Sequence, residues 1–338
     1  MNVSCFSGLR FTLYGLMLAV VGLVIGCSPT ENRRDTGTDG RFPVRVQLDW
    51  FPEPQHGGLY QALAKGYFED EGLEVTLLSG GSNVLVTQFV ATGQADIGQS
   101  ASTQVMQAVA GGLPIKNIAS VFHRLPSALL MHEDNPVSSF ADLDGKTIMG
   151  RPEALYIPYL KQRYGINFTV IPQSFGMASF LQDKAFIQEG FFIAEPYYLE
   201  KAGAKVKWLP LWDSGYAPAA TLFANDRFLE NYPEVTRRFL RAYIRGWRDY
   251  LENDPDPAHA LIRQGNPRVD DAFLAFSRDQ IVAYALGKGD PDQDETYGSL
   301  SEERFAREIA ILESIGALKP GAVTVDSVLD ISFLPETK

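Results

Sequence analysis

The chain has almost no cysteine and little histidine. Its two cysteines, Cys5 and Cys27, both lie near the start of a 338-residue sequence. Neither a disulfide framework nor a cysteine-rich zinc cluster can be built from the rest. The four histidines, His56, His123, His132 and His259, stand far apart, and no HExxH spacing occurs, so no metal site is expected. Basic charge is also short. Thirty Lys and Arg against 41 Asp and Glu give a formal charge of -11, which disfavours a nucleic-acid binder relying on a basic surface. No P-loop, GxSxG elbow or dinucleotide-binding glycine fingerprint is present, which weighs against catalysis. Thirty glycines and 20 prolines without a period exclude collagen, and 45% hydrophobic residues suit a globular chain of about two domains. Aromatics are plentiful, with 21 Phe, 14 Tyr and 4 Trp, leaving rings for a ligand pocket once a core is filled.

Long apolar runs are lacking too. The charge-free stretch Phe11 to Gly26 is shorter than the about twenty residues of a comfortable membrane span. It ends Val24-Ile25-Gly26-Cys27 and resembles a bacterial lipoprotein signal, with residues 1–26 removed and Cys27 lipidated. An uncleaved N-terminal anchor helix is the alternative. Either way the body lies outside the cytoplasmic membrane. Residues 27–41 carry little to bury and read as a flexible tether. Processing would leave no free thiol, which excludes a cysteine nucleophile.

Beyond the tether, strand and helix patterns alternate. Val44 to Leu48, Glu74 to Leu78, Ala95 to Gly98, Ile118 to Phe122 and Ser127 to Met131 read as strands, with helical spacing between most of them. A second block supplies strands at Thr147 to Gly150, Phe168 to Ile171, Phe191 to Ala194 and Val206 to Leu209. The chain then turns mostly helical from Pro233 onward. This order predicts an α/β protein with parallel-rich sheets flanked by helices. One lobe comprises residues 42–125 and 219–338, a second comprises 126–218, and the helical C-terminal part returns to the first. Crossings near Phe122–Ser127 and Tyr216–Thr221 would form a hinge.

The stretch Leu48-Asp49-Trp50-Phe51-Pro52-Glu53-Pro54-Gln55-His56-Gly57-Gly58, followed by Lys65-Gly66-Tyr67-Phe68, resembles the opening of a family of bacterial solute-binding lipoproteins serving ABC importers. That family is related to periplasmic proteins that capture thiamine pyrimidine precursors and to fungal thiamine-pyrimidine synthases. Gly93 to Gly98, Asp142 to Lys146 and Gln188 to Pro196 support the resemblance, which runs from Val44 to about Leu286. It implies a two-lobed periplasmic-binding-protein fold of type II that closes on a small molecule. In the related synthases a histidine matching His56 is consumed as substrate and a lysine matching Lys65 anchors pyridoxal phosphate. Those enzymes also carry a cysteine-rich iron segment. Gly215 to Ala220 has no cysteine, so a binding protein without cofactor is expected.

Several residues fall where strands end, and open α/β sheets bind ligands there. Trp50 follows the first strand and can stack on a flat ring, with ordinary loop packing as the alternative. Asp49 beside it is a contact or a cap. The His56 imidazole can donate to or accept from a ring nitrogen, or serve packing. Ser100 and Ser102 stand where a strand passes into a helix, and the turn Gly80-Gly81-Ser82-Asn83 could cradle an anion. Arg151 can clamp an anionic group or form a surface ion pair. Glu195 can accept from an exocyclic amine, and Tyr216 at the hinge offers a ring and a hydroxyl. Lys65 reads as a solvated helix residue.

The sequence therefore points to a monomeric, lipid-anchored receptor facing the periplasm or cell exterior and handing its ligand to a membrane permease. A small aromatic nitrogen heterocycle, best a thiamine pyrimidine precursor, suits Trp50, His56 and Glu195. Riboflavin, an organosulfonate or nitrate are alternatives, as is a synthase-like enzyme. A sensor handing ligand state to a membrane kinase differs only in its partner.

Overall fold

A computed structural model describes residues 40–174 and 176–336 of the chain. The expected signal segment 1–26, the lipidation residue Cys27 and nearly all of the tether lie outside the described residues. Among the described residues no helix is long and apolar enough to cross a membrane.

Among the described residues ten strands form two five-stranded sheets. The first sheet holds β1 (Phe42–Gln47), β2 (Leu73–Leu78), β3 (Ile97–Ala101), β4 (Ile115–Phe122) and the late strand β10 (Ala220–Asn225), in the order β2-β1-β3-β10-β4. The second sheet holds β5 (Ser127–His132), β6 (Thr147–Gly150), β7 (Thr169–Pro172), β8 (Ile187–Phe191) and β9 (Val206–Pro210), in the order β7-β6-β8-β5-β9. In each sheet four strands run one way and one runs against them. The contrary strands are β10 and β5, each antiparallel to both neighbours.

The chain path explains the pattern. It leaves the first sheet at the end of β4 and enters the second at the start of β5; it leaves the second at the end of β9 and re-enters the first at β10. Each contrary strand thus begins beside the carboxyl ends of its neighbours, and the two carboxyl edges adjoin the same crossings. The crossings bond each other, with Leu125 N–H donating to Pro218 O at 2.9 Å. The expected hinge segments are these two links.

The expected strand Phe191 to Ala194 is displaced. Gln188, Glu189 and Gly190 occupy the sheet, while Phe192 and Ile193 turn into the core. Three polar or small residues made this segment unattractive as a strand. The buried Glu189 is nonetheless tolerated there because Arg151 pairs with it.

The helical C-terminal part packs on the first sheet's helices through the long helix Pro233–Glu252. Its Phe239, Tyr243, Trp247 and Tyr250 are fully buried. The helix Gly57–Ala64 crosses it closely enough to explain the Gly-Gly pair. A Cβ on Gly57 would lie 2.2 Å from the Tyr250 ring, one on Gly58 would lie 2.3 Å from Trp247, and one on Gly246 would lie 2.2 Å from Gly58 O. Any side chain there forces the helices apart. Gly58→Ala should therefore cost about 1–3 kcal/mol or more of stability through overpacking, measured as a lowered midpoint in urea unfolding. Gly93→Ala, whose added Cβ meets nothing, should cost only the strain of its positive φ and serves as the comparison.

Candidate functional site

The turn after β1 is built by backbone contact. Gln47 reaches past its own strand and donates to the carbonyls of Leu48, Leu78 and Ser79. Gly80 N–H donates to Trp50 O at 3.0 Å. A Cβ on Gly80 would stand 2.4 Å from Leu48 O and Trp50 N, so only glycine lets the turn after β2 press against the one after β1. The expected anion cradle at Gly80 to Asn83 is in this way a backbone brace for Trp50. Trp50 itself is half-buried and meets Phe51 edge-on, with ring centroids 5.5 Å apart.

His56 lies directly behind this turn and is fully buried. Its Nδ1 accepts from Glu53 N–H at 3.3 Å, which leaves Nε2 to donate to Asp49 Oδ1 at 2.8 Å. Both ring nitrogens are thus engaged within the chain, and the imidazole orients Asp49. The Asp49 side chain keeps a third of its surface exposed. Lys65 is exposed at the end of the helix Gly57–Ala64.

Glu53 stands between the two sheets' rims. Burial, then the charges of Glu195 and Asp49, push its carboxyl up to about 8, with Arg268 pulling the other way. Arg268 also lies over the Phe51 ring at 4.6 Å. Across from it, Glu195 opens the helix Glu195–Lys201 just after β8 and accepts Phe191 N–H at 2.7 Å. A Cβ on Gly190 would lie 3.1 Å from the Glu195 carboxyl carbon, so this glycine makes room for it. Burial raises Glu195 to about 7, against the pull of backbone donors. The charges of both Asp49 and Glu195 reach Glu53, one from the turn after β1 and one from the start of the helix after β8.

Arg151, at the end of β6, is committed. It donates from Nε and a terminal nitrogen to Glu189 Oε1 at 3.2 and 2.7 Å, and its backbone N–H reaches Oε2. Tyr156 completes the Glu189 shell at 3.4 Å. Tyr216 is buried beside Tyr159, with centroids 5.5 Å apart. Burial pushes its phenol up to about 12, while a hydrogen bond with Thr103 opposes this and the charges of Arg151 and Glu189 also reach it. Tyr216 therefore joins the first sheet's helix to the second sheet's rim.

The two serines stand apart from this group. Ser100 donates to Gln104 Oε1 at 2.7 Å. Ser102 is fully buried, donates to Glu308 and accepts Ala219 N–H at 3.1 Å. Glu308 in turn bonds Arg304, whose guanidinium also reaches Glu295, the carbonyl of Ala217 at 2.8 Å and the carbonyl of His123. Ser102 thus belongs to a clamp on both crossings. Sequence reading missed Glu53, Glu189 and Arg304. Their local patterns do not set them apart: the partners that give them a place in the fold, Glu195 and Arg268 for Glu53, Arg151 for Glu189, and His123 and Ala217 for Arg304, lie tens to hundreds of residues away. Among the described residues no group of three or more His, Cys, Asp or Glu is placed to hold a metal.

With this geometry in view the comparisons are informative. The family described as NMT1/THI5 like matches residues 53–258. The chain belongs to that family. It is 29% identical to the riboflavin-binding protein RibY of Chloroflexus aurantiacus over 253 residues, 72% of each chain. It is 24% identical to a formylaminopyrimidine-binding protein of Halalkalibacterium halodurans over 332 residues, covering 95% of this chain and 99% of the other. A 4-amino-5-hydroxymethyl-2-methylpyrimidine phosphate synthase of Saccharomyces cerevisiae, THI11, is 26% identical over 261 residues, covering 71% and 76%. Among solved structures, the periplasmic aliphatic sulphonate binding protein SsuA of Escherichia coli superposes with a TM-score of 0.66 at 13% identity, covering 88% of this chain and 94% of that one. The fold is the two-lobed periplasmic-binding fold of type II.

The raised carboxyls give a signed pH dependence. Glu53 and Glu195 hold their protons more tightly in the folded chain than at the ordinary value of 4.5. Their contribution is complete below that value and is lost as pH rises through about 7 to 8. The ligand-free protein should lose a few degrees of Tm between pH 5 and pH 8.5, since about 1 kcal/mol shifts Tm by about 2–4 °C in chains approaching this size. Glu53→Gln should flatten that slope in differential scanning calorimetry; an unchanged slope would contradict the assignment.

Proposed function

We propose that this chain is the extracytoplasmic solute-binding component of an ABC importer and that it captures a small aromatic nitrogen heterocycle. The observation that supports the reading is that Glu53, in the turn after β1 that also carries Asp49 and Trp50, lies within electrostatic reach of Glu195 after β8. A half-buried indole supplies a stacking face worth about 0.5–1.5 kcal/mol beyond its area. The carboxyls supply acceptors, or one proton, for the amino and ring N–H groups of an aminopyrimidine. A thiamine pyrimidine precursor fits this set, in keeping with the formylaminopyrimidine-binding relative.

Riboflavin is the second reading, because RibY is a relative and an isoalloxazine also offers a flat ring with polar edges. An organosulfonate fits less well. It needs Arg151, which is already paired with Glu189, and it would enter a rim carrying several carboxyls. The synthase-like reading needs His56 accessible for consumption, whereas the ring is buried with both nitrogens bonded. Within this reading Trp50, Asp49 and Glu195 meet the ligand. His56 acts through Asp49, Tyr216 spans the rims, Ser100 braces its own helix, and Ser102 serves the hinge clamp. The receptor works as a monomer without a cofactor, is anchored by lipid on Cys27, and docks on a membrane permease.

Two experiments test this. In a thermal-shift screen, formylaminopyrimidine or riboflavin at about 100 times its Kd should add about 2.7 kcal/mol, while an alkanesulfonate should add nothing. For the ligand found, Trp50→Ala and Glu195→Gln should each weaken binding at least tenfold by calorimetric titration, about 1.4 kcal/mol; smaller losses would remove the stacking or acceptor role. Separately, Cys27→Ser should abolish incorporation of labelled palmitate into the expressed chain and release it from the membrane fraction. Retained label would refute the anchor.

A further inference from the structure

The helix that begins with Glu195 is held from its far side by a residue of the C-terminal part. Asp270 precedes the helix Asp271–Ala283 and caps it, accepting Phe273 N–H at 2.8 Å. The same carboxylate accepts Tyr197 Oη–H at 2.7 Å and Lys201 Nζ–H at 2.6 Å, both from the helix Glu195–Lys201. Next to these bonds the Tyr198 ring stacks on the fully buried Phe273, with centroids 5.0 Å apart and planes 28° apart. Tyr197 meets Phe273 at 5.6 Å. Lys201, then Phe273 N–H and Tyr197, hold the Asp270 carboxyl down at about 2, so it stays charged across physiological pH.

The two sides of this contact belong to different sheets. The helix Glu195–Lys201 follows β8 of the second sheet. Asp270 stands on the first sheet's helical layer: Arg278 of its helix donates to the carbonyls of Tyr250 and Leu251, and Asn266 donates to Pro52 O behind the Trp50 turn.

We propose that Asp270 is a positioning residue for Glu195, catching Tyr197 and Lys201 when the sheets close and so holding Glu195 opposite Asp49 and Glu53. The catch is mild by construction. Lys201 and Asp270 keep 58% and 49% of their side-chain surface exposed, so their pair shifts a closing equilibrium without carrying the stability of either body. The inference rests on the closing-cleft reading but not on which solute is captured. Its test therefore omits solute, and a failed solute screen and a failed catch remain separate results.

Hydrogen–deuterium exchange on the full chain decides it. Lys201→Glu sets like charges against each other. Exchange should quicken at least threefold in residues 195–204 and also in residues 49–53, which touch neither substituted side chain. Adding Asp270→Asn to Lys201→Glu keeps the cap, because asparagine caps as well as aspartate, but removes the repulsion. Exchange in both segments should then be slower than in Lys201→Glu alone but stay faster than in the parent, because the repulsion is gone and so is the attraction to Lys201. Acceleration confined to residues 195–204, no acceleration in either segment, or no recovery in the double variant would each overturn the proposal.

Discussion

Two short crossings between the sheets govern most of what this protein can do. Because the chain enters each sheet from its neighbour's carboxyl edge, β5 and β10 must run against the other strands, and both carboxyl edges end up at the crossings. Loops that follow β1, β3, β6 and β8 then have a common space to enter. Arg304 secures this arrangement from outside the sheets. One guanidinium bonds a carbonyl from each crossing and two carboxylates, Glu295 and Glu308. Its planar fork suits such a task better than a lysine would. The helix Glu302–Ser314, which carries it, therefore ties the two crossings together as well as covering the first sheet.

Carboxyls in the fold divide into two kinds by their partners. Glu189 and Glu308 are buried and each is matched by an arginine, Arg151 and Arg304. Burial without such a match is costly. Glu53 and Glu195 face that cost with less relief: the charge of Arg268 pulls on the first, and backbone donors serve the second. Each responds by holding its proton more tightly. On the proposed reading, carboxyls in that state suit a guest rich in N–H donors, whose arrival would supply partners. An anionic guest would deepen the penalty.

Much of the architecture was legible in the sequence because it depends on local periodicity. The alternating strands, the return after the second block and the two crossings all follow from patterns a few residues long. The Trp50 turn was legible for a similar reason, since it directly follows a strand whose pattern is clear. Three things were not. Glu189 sits in a strand that its polarity disguised, and only Arg151, 38 residues away, makes it tenable. Ser102 looked like a rim hydroxyl, but its partner Glu308 lies 206 residues on. His56 offered an imidazole in a suggestive motif, yet its donors and acceptors are spent on Glu53 and Asp49. In each case a distant or folded-back partner within the chain engages the polar groups.

The glycines of the opening motif show the same division in a different form. Gly57 and Gly58 adjoin His56 and look like part of a ligand loop. Their lack of side chains is instead required by Tyr250 and Trp247, nearly two hundred residues later. Gly80 reads as part of an anion-cradling turn and Gly190 looks ordinary, yet the first lets one loop brace Trp50 and the second leaves space for the Glu195 carboxyl. The missing β-carbons at these two positions thus let the Trp50 backbone and the Glu195 carboxyl pack as they do.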